Sequence, residues 1–271
     1  MNQKNLNKEV CTAAQIYQKL IDAGIKKANG RITIDFMGIS TLVKEASAVG
    51  DLFQEWLGSW FNENNIDVDG NIYTQEPPDF HIVPQDKTKG WLEVKTFVNG
   101  RSPAFDIANF EAYCDSHRTK AYRLNADYLI FAYSLLDGKL KIEKLWLKKI
   151  WQVTGASKKR AVKVQEKRSV IYNIRPVSWM SKRAVYKPFN NKEDFILALN
   201  ETLKSYEKTK IDKERWLKEV VDNYFEHTGE RLSIDVNSST DSESVELLVD
   251  NEPIELEEQL NLFDSDNSSL E

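Results

Sequence analysis

Only two cysteines, Cys11 and Cys114, occur in 271 residues, and they form no C-x-x-C pair. That excludes a disulfide-stapled scaffold and a thioredoxin-type redox motif. The three histidines, His81, His117 and His227, lie far apart, and no Cys/His spacing builds a zinc site. His81 lies close enough in sequence to Asp79 to touch a bound metal, against the plainer reading of a hydrogen-bonded strand residue. No G-x-x-x-x-G-K-[ST] phosphate loop is present, which removes ATP motors. No serine or cysteine nucleophile has a base partner at a suggestive spacing. Also missing is any apolar run long enough to span a bilayer, and the opening MNQKNLNKEV lacks the apolar core of a signal peptide. The expected compartment is the cytosol, with no membrane partner.

Basic residues are absent from one region. No Lys or Arg follows Ile234, whereas Asp235 to Glu271 contains twelve acids. The whole chain has a formal charge of −5, so the first 234 residues, without those twelve acids, stand at +7. A basic body suggests a polyanionic partner, against the plainer reading of a solvated surface. The acidic stretch is rich in Ser, Asp, Glu and Asn and poor in aromatics, the composition of disorder.

Within the body, periodicity predicts a helix over about Lys8–Ala28 and another over Ser47–Asn64, where Trp56 and Trp60 read as core packing. Strand-like pieces follow at Asn71–Gln75, Asp79–Pro84 and Gly90–Phe97. Asp106–Ser116 reads as a helix with Ile107, Phe110, Ala112 and Tyr113 apolar. DYLIFAYSLL (Asp127–Leu136) is a continuous apolar run, as in a buried central strand. The Asp137-Gly138 pair signals a tight hairpin into Lys139–Leu147. Further strands are predicted at Ala161–Gln165 and Ser169–Ile174. Helices are predicted at about Lys192–Lys208 and Asp212–His227, the last stopped by Gly229. The pattern fits one α/β domain over 1–234, with a mixed sheet flanked by helices, and an acidic tail over 235–271.

The segment PPDFHIVPQDKTKGWLEVKTF (Pro77–Phe97) carries charge where a strand should be apolar. Alternation puts Leu92, Val94 and Thr96 on one face and Trp91, Glu93, Lys95 and Phe97 on the other. If Asp79 lies on a neighbouring strand, it converges with Glu93. Two carboxylates held close repel each other unless a cation separates them, and oxygen ligands with open water positions suit Mg²⁺. Lys95 would then stand beside an attacking water or a phosphate. The alternative is a surface salt pair.

Pro78-Asp79 and Glu93-Val94-Lys95, with thirteen residues between the two acids, resemble the PD-(D/E)XK nuclease motif. The resemblance implies a catalytic set of Asp79, Glu93 and Lys95, with Mg²⁺ on Asp79 and Glu93. Glu55, on the upstream helix, would be a further carboxylate, with a solvated helix face as its plainer reading. SPAFDIANFEAYC (Ser102–Cys114), RLNADYLIFAYSL (Arg123–Leu135), LWLKKIW (Leu145–Trp151) and VIYNIRP (Val170–Pro176) resemble the restriction endonuclease family of NgoBV and NlaIV. Over about residues 45 to 200 this implies a PD-(D/E)XK core of about 45–150. It also implies a bacterial type II enzyme that cuts double-stranded DNA at a short palindrome, GGNNCC for those namesakes. Cutting both strands of a palindrome favours a homodimer.

Between Lys148 and Lys187 twelve Lys or Arg face a single acid, Glu166, with Tyr172, Trp179 and Tyr186 interleaved. Such a surface neutralises phosphates, and Arg is the preferred reader of guanine. The expected DNA contacts are Arg160, Lys163, Arg168, Arg175, Lys182 and Arg183, with Arg101 on the backbone near the cut. Arg175, extended before Pro176, is the leading base reader. In the tail, Gln259, Leu260, Leu262 and Phe263 resemble the short peptide by which bacterial proteins dock on the DNA sliding clamp. Two other readings stay open: a structure-specific repair nuclease on the same core, and a non-catalytic DNA-binding or clamp-associated adaptor.

Overall fold

The computed structural model describes residues 8–44, 49–70 and 77–236. In chain order, helix α1 (Ala13–Asp22) precedes β1 (Asn29–Arg31) and the hairpin of β2 (Thr33–Phe36) and β3 (Ile39–Leu42). Then come α2 (Val49–Glu63), β4 (Asp69–Gly70), β5 (Phe80–His81) and β6 (Trp91–Val98). β7 (Ala108–Asn109) leads into α3 (Phe110–His117), followed by β8 (Asp127–Leu136) and β9 (Lys139–Lys149). The last described elements are β10 (Val164–Lys167), β11 (Val170–Ile174), α4 (Lys192–Lys204) and α5 (Lys213–Thr228).

The apolar run at β8 becomes the centre of a sheet ordered β1-β9-β8-β6-β5-β4. β6 and β8 are parallel, linked through α3, while β8 and β9 form an antiparallel hairpin. Its turn, Asp137 and Gly138, has φ of 50° and 74°, as a two-residue hairpin loop requires. Both faces of β8 are buried, which is why its sequence does not alternate in polarity. Leu129, Phe131 and Tyr133 pack with α1 and α2, while Tyr128, Ile130 and Ala132 pack with α3, α4 and α5. The result is a mixed α/β fold whose central mixed sheet is flanked by helices.

Local chemistry sets the ends of several elements. Thr12 and Gln15 form a reciprocal capping box, so α1 begins at Ala13 and not at Lys8. Asp212 caps α5, and Gly229 ends it with φ 70°. The strand predicted at Asp79–Pro84 shrinks to Phe80–His81, because the chain turns back through Gly90. There φ is +63°, and an added Cβ would stand 2.7 Å from Val83. The strand predicted at Ala161–Gln165 starts only at Val164. The strand predicted at Asn71–Gln75 lies outside the described residues, as does the tail from residue 237. Trp60 packs against the α1–α2 core as expected, but Trp56 is 39% exposed. β1 and the β2–β3 hairpin have no counterpart in the sequence reading, because they are short and almost wholly exposed. No described helix is long and apolar enough to cross a membrane.

Candidate active site

β5 pairs with β6 antiparallel through Phe80↔Leu92 and His81↔Trp91, and extending that register sets Asp79 opposite Glu93. One Asp79 carboxylate oxygen accepts the Val94 backbone N–H at 2.6 Å, which seats it between Glu93 and Lys95. Lys95 Nζ donates to Glu93 Oε2 at 3.0 Å, with the two side chains 18% and 8% exposed. The three residues therefore meet, as the strand alternation predicts, on the face turned toward α3. His81 does not join them; its ring packs edge-on against Trp91.

The electrostatics match the geometry. Burial, then the Glu93 charge beside it, lifts the Asp79 carboxyl to about 6, against the opposing pull of Lys95 and the Val94 N–H. Burial draws the Lys95 ammonium down, yet Glu93 and Asp79 outweigh it and hold the amine above its ordinary value. Glu93 Oε1 is buried and has no hydrogen-bond partner among the described residues. A buried carboxylate oxygen without a partner among the described residues, on a side chain whose charge raises a second carboxyl, is a costly arrangement to leave without a cation.

A cavity of about 430 Å³ opens over the trio. Its opposite wall is one face of α3, with Asn109, Ala112, Tyr113 and Ser116 in helical spacing; Lys120 and Arg123 add positive charge, and Trp91 and Tyr128 add aromatic surface. Phe110, Cys114 and His117 form the buried face of α3, with Tyr113 partly buried against the same core and Ala112 exposed. The Tyr113 hydroxyl is buried without a hydrogen-bond partner among the described residues. Arg123 lies over the Trp91 ring at 4.5 Å. These cavity residues were missed because a helix face turned toward a cleft carries no motif. The one available signal was the run of small and polar side chains at 109, 112 and 116.

Glu55 is not brought to the site. It is exposed on α2 and does not line the cavity. The other acid contributing to the upward shift of Asp79 is Asp51, one turn earlier. An added Cβ at Gly50 would stand 3.4 Å from Thr96 Oγ1, so the first turn of α2 abuts β6 beside Lys95. A helix that buries Val49, Phe53, Leu57 and Phe61 turns Glu55 toward solvent.

The predicted DNA contacts divide into two groups. Arg160 grips Glu166 through two nitrogens at 3.0 and 3.2 Å and gives its third to the Ser205 carbonyl and hydroxyl at 2.8 and 2.9 Å. Arg175, the expected base reader, is tied to Asp106 and Gln165, each at 2.9 Å, and to the Ala104 carbonyl. Lys163 donates to the Pro176 carbonyl at 2.9 Å. In the free protein the head groups of these three are held by intramolecular hydrogen bonds, so DNA would have to displace those partners to engage them. Arg101, Arg168, Lys182 and Arg183 are exposed and form no ion pair among the described residues. Arg168 sits at the tip of the β10–β11 hairpin, where it and Ser169 have φ of 52° and 58°.

The two groups should separate by mutation. Arg160→Ala, which strands Glu166, is expected to lower stability by about 2 kcal/mol in denaturant melts. Arg183→Ala should leave stability within about 0.5 kcal/mol and reduce the salt slope of duplex binding by about one. A reduced salt slope for Arg160→Ala with no loss of stability would reverse that assignment.

The NgoBV restriction endonuclease family model matches residues 10–242, a wider span than the residues of about 45 to 200 over which the sequence resembles it. The type II restriction enzyme NlaIV of Neisseria lactamica is 39% identical over 226 residues, covering 82% of this chain and 93% of that protein. The type II restriction enzyme NgoBV of Neisseria gonorrhoeae is 36% identical over 160 residues, covering 58% of this chain and 91% of that protein. The solved structure of the NlaIV restriction endonuclease aligns with a TM-score of 0.80 at 37% identity, across 84% of this chain and 94% of that one.

Proposed function

Because this chain belongs to the NgoBV restriction endonuclease family, we propose that it is a Mg²⁺-dependent enzyme hydrolysing double-stranded DNA at the palindrome GGNNCC through a PD-(D/E)XK site. The observation that carries this reading is the convergence of Asp79, Glu93 and Lys95 on one cavity wall, with a Glu93 oxygen left unpaired among the described residues. No group of three or more His, Cys, Asp or Glu side chains placed to hold a metal occurs among the described residues. Two carboxylates with remaining positions for water and phosphate suit Mg²⁺ and its preference for keeping part of its water shell. Asp79 and Glu93 would hold the ion, and Asp51 would add negative charge from α2.

When bound, the ion supplies charge neutralisation at the phosphate and a more acidic water. The chain's own residues do the rest. Lys95, kept protonated by its two acidic neighbours, places a positive charge where the pentacovalent phosphorane gathers negative charge. Water oxygen forms the new P–O bond as it gives up one proton, the bridging P–O bond breaks, and the departing sugar oxygen takes up a proton, so that one water is consumed. The Tyr113 hydroxyl, without a partner among the described residues, offers a hydrogen bond to the bound strand. Lys120 and Arg123 hold adjacent phosphates, and the exposed Arg101, Arg168, Lys182 and Arg183 supply longer-range attraction.

The test is digestion of a sequenced plasmid by the purified full chain with Mg²⁺ and with EDTA. Discrete Mg²⁺-dependent fragments mapping to GGNNCC are expected. Fragments ending at another fixed sequence would keep the nuclease and replace the site. Cuts tied to DNA structure and not to sequence would favour a repair nuclease. Salt-sensitive binding without any cleavage would leave the adaptor, with the sliding clamp and Gln259–Phe263 as its next test.

A further inference from the structure

The β2–β3 hairpin has no sheet partner among the described residues and pairs only with itself. Its register, Ile34↔Thr41 and Phe36↔Ile39, puts Ile34, Phe36, Ile39 and Thr41 on one face and Thr33, Asp35, Ser40 and Leu42 on the other. The apolar face is open to solvent: Ile34 is 56% exposed, Phe36 and Ile39 71% each, and Met37 at the turn 85%. A lone two-stranded hairpin is marginal in water, and scattered exposed apolar residues need no explanation, but four on one short arm do. At the root of the arm, Ile32, Leu52, Phe53, Trp56 and Leu140 line an apolar hollow of about 250 Å³. Leu52 and Trp56 are left 44% and 39% exposed there.

We propose that the hairpin is a dimerisation arm, which lays its Ile34–Phe36–Ile39 face against a second copy of this chain and takes the partner's arm at its own root hollow. The choice of a second copy rests on the palindrome-cutting reading: each chain carries one Asp79–Glu93–Lys95 set, and a duplex presents two strands related by a two-fold axis. A projecting apolar arm and an apolar hollow on the same chain meet the requirement of a two-fold interface, that each surface find its complement on an identical partner. The exposed apolar side chains of one arm amount to about 500 Å², a large part of the roughly 800 Å² per partner in a standard stable interface. The one charge within β2 and β3, Asp35, lies on the opposite face of the hairpin, so the arm's apolar face carries no ion into the contact; the one charged residue lining the hollow, Arg31, is exposed.

Sedimentation velocity on the full chain, without DNA or metal, tests the arm independently of cleavage. The expected species is a dimer. Phe36→Asp and, separately, its cross-strand neighbour Ile39→Lys should each raise the dimer dissociation constant by roughly a hundredfold or more, because every dimer contains the change twice. Asp35→Lys on the opposite face should leave the dimer intact. Melting curves check that the variants remain folded. A monomeric wild type, or a dimer that survives both substitutions, overturns the proposal. Loss of duplex affinity with the oligomeric state unchanged would also overturn it, and would make the arm a DNA grip. A nuclease-negative chain that still forms an arm-dependent dimer would fail the functional reading alone.

Discussion

Alanine in place of Lys95 should reduce plasmid cleavage by at least about a thousandfold while changing affinity for the duplex only about threefold. A positioned cation at a developing oxyanion accounts for about 3 to 4 kcal/mol of barrier lowering, and general acid–base help has a similar span. A single phosphate contact among many adds little to binding, so the loss should appear in turnover. Lys95→Arg keeps the charge but replaces a compact ammonium with a larger planar fork, and should recover only a small part of the activity. The measurement is a single-turnover cleavage rate beside metal-free binding of a labelled duplex. Equal losses of rate and affinity would mean that Lys95 only holds DNA, and the adaptor reading would gain.

Asp79→Asn should abolish cleavage and at the same time make the metal-free protein more stable at neutral pH. Burial and the neighbouring Glu93 raise the Asp79 carboxyl from its ordinary 3.8 to about 6. The folded protein therefore holds that proton more tightly than the unfolded chain does. Stability is fully present below about pH 4 and falls as pH rises toward 6. Above that it stays lower by a constant amount of about 2 to 3 kcal/mol. Asparagine can still accept the Val94 N–H, so the substitution removes charge more than structure. The variant's melting temperature should match wild type near pH 4 and exceed it by several degrees at pH 7.5. Added Mg²⁺ should raise the melting temperature of wild type more than that of the variant. A variant less stable than wild type at pH 7.5 would show that Asp79 is a structural anchor.

These two results would show an active site maintained at the expense of stability, a relation already latent in the sequence. Glu93 and Lys95 share a strand face with Trp91 and Phe97, and strand alternation made that visible without coordinates. The alternation is a property of consecutive peptide units, so it survives any packing arrangement. For the same reason the central strand at Asp127–Leu136, its Asp137-Gly138 turn and the capped end of α5 could all be read directly. Each depends on residues within a few positions of one another.

The features that local sequence could not show depend on distant partners. Composition marks Lys148–Lys187 as basic, yet Arg160 finds Glu166 and Ser205, and Arg175 finds Asp106, Gln165 and Ala104. A guanidinium reaching across the fold to a carboxylate looks the same in sequence as one left for phosphate. Glu55 and Asp51 lie one turn apart on the same helix and are both exposed, and only the way α2 sits on β6 brings Asp51 near enough for its charge to act on Asp79.

By itself, then, the sequence determined the chemistry available on the catalytic strand, the mixed α/β order of elements and the family. The tertiary structure alone decided which charges remain free to act, which wall of the cavity faces the trio, and that an apolar arm stands uncovered. The physical reason is range: backbone periodicity and capping act over a few residues, whereas ion pairing, desolvation and burial are settled between groups that can lie more than 100 positions apart, as Arg118 and Glu219 do.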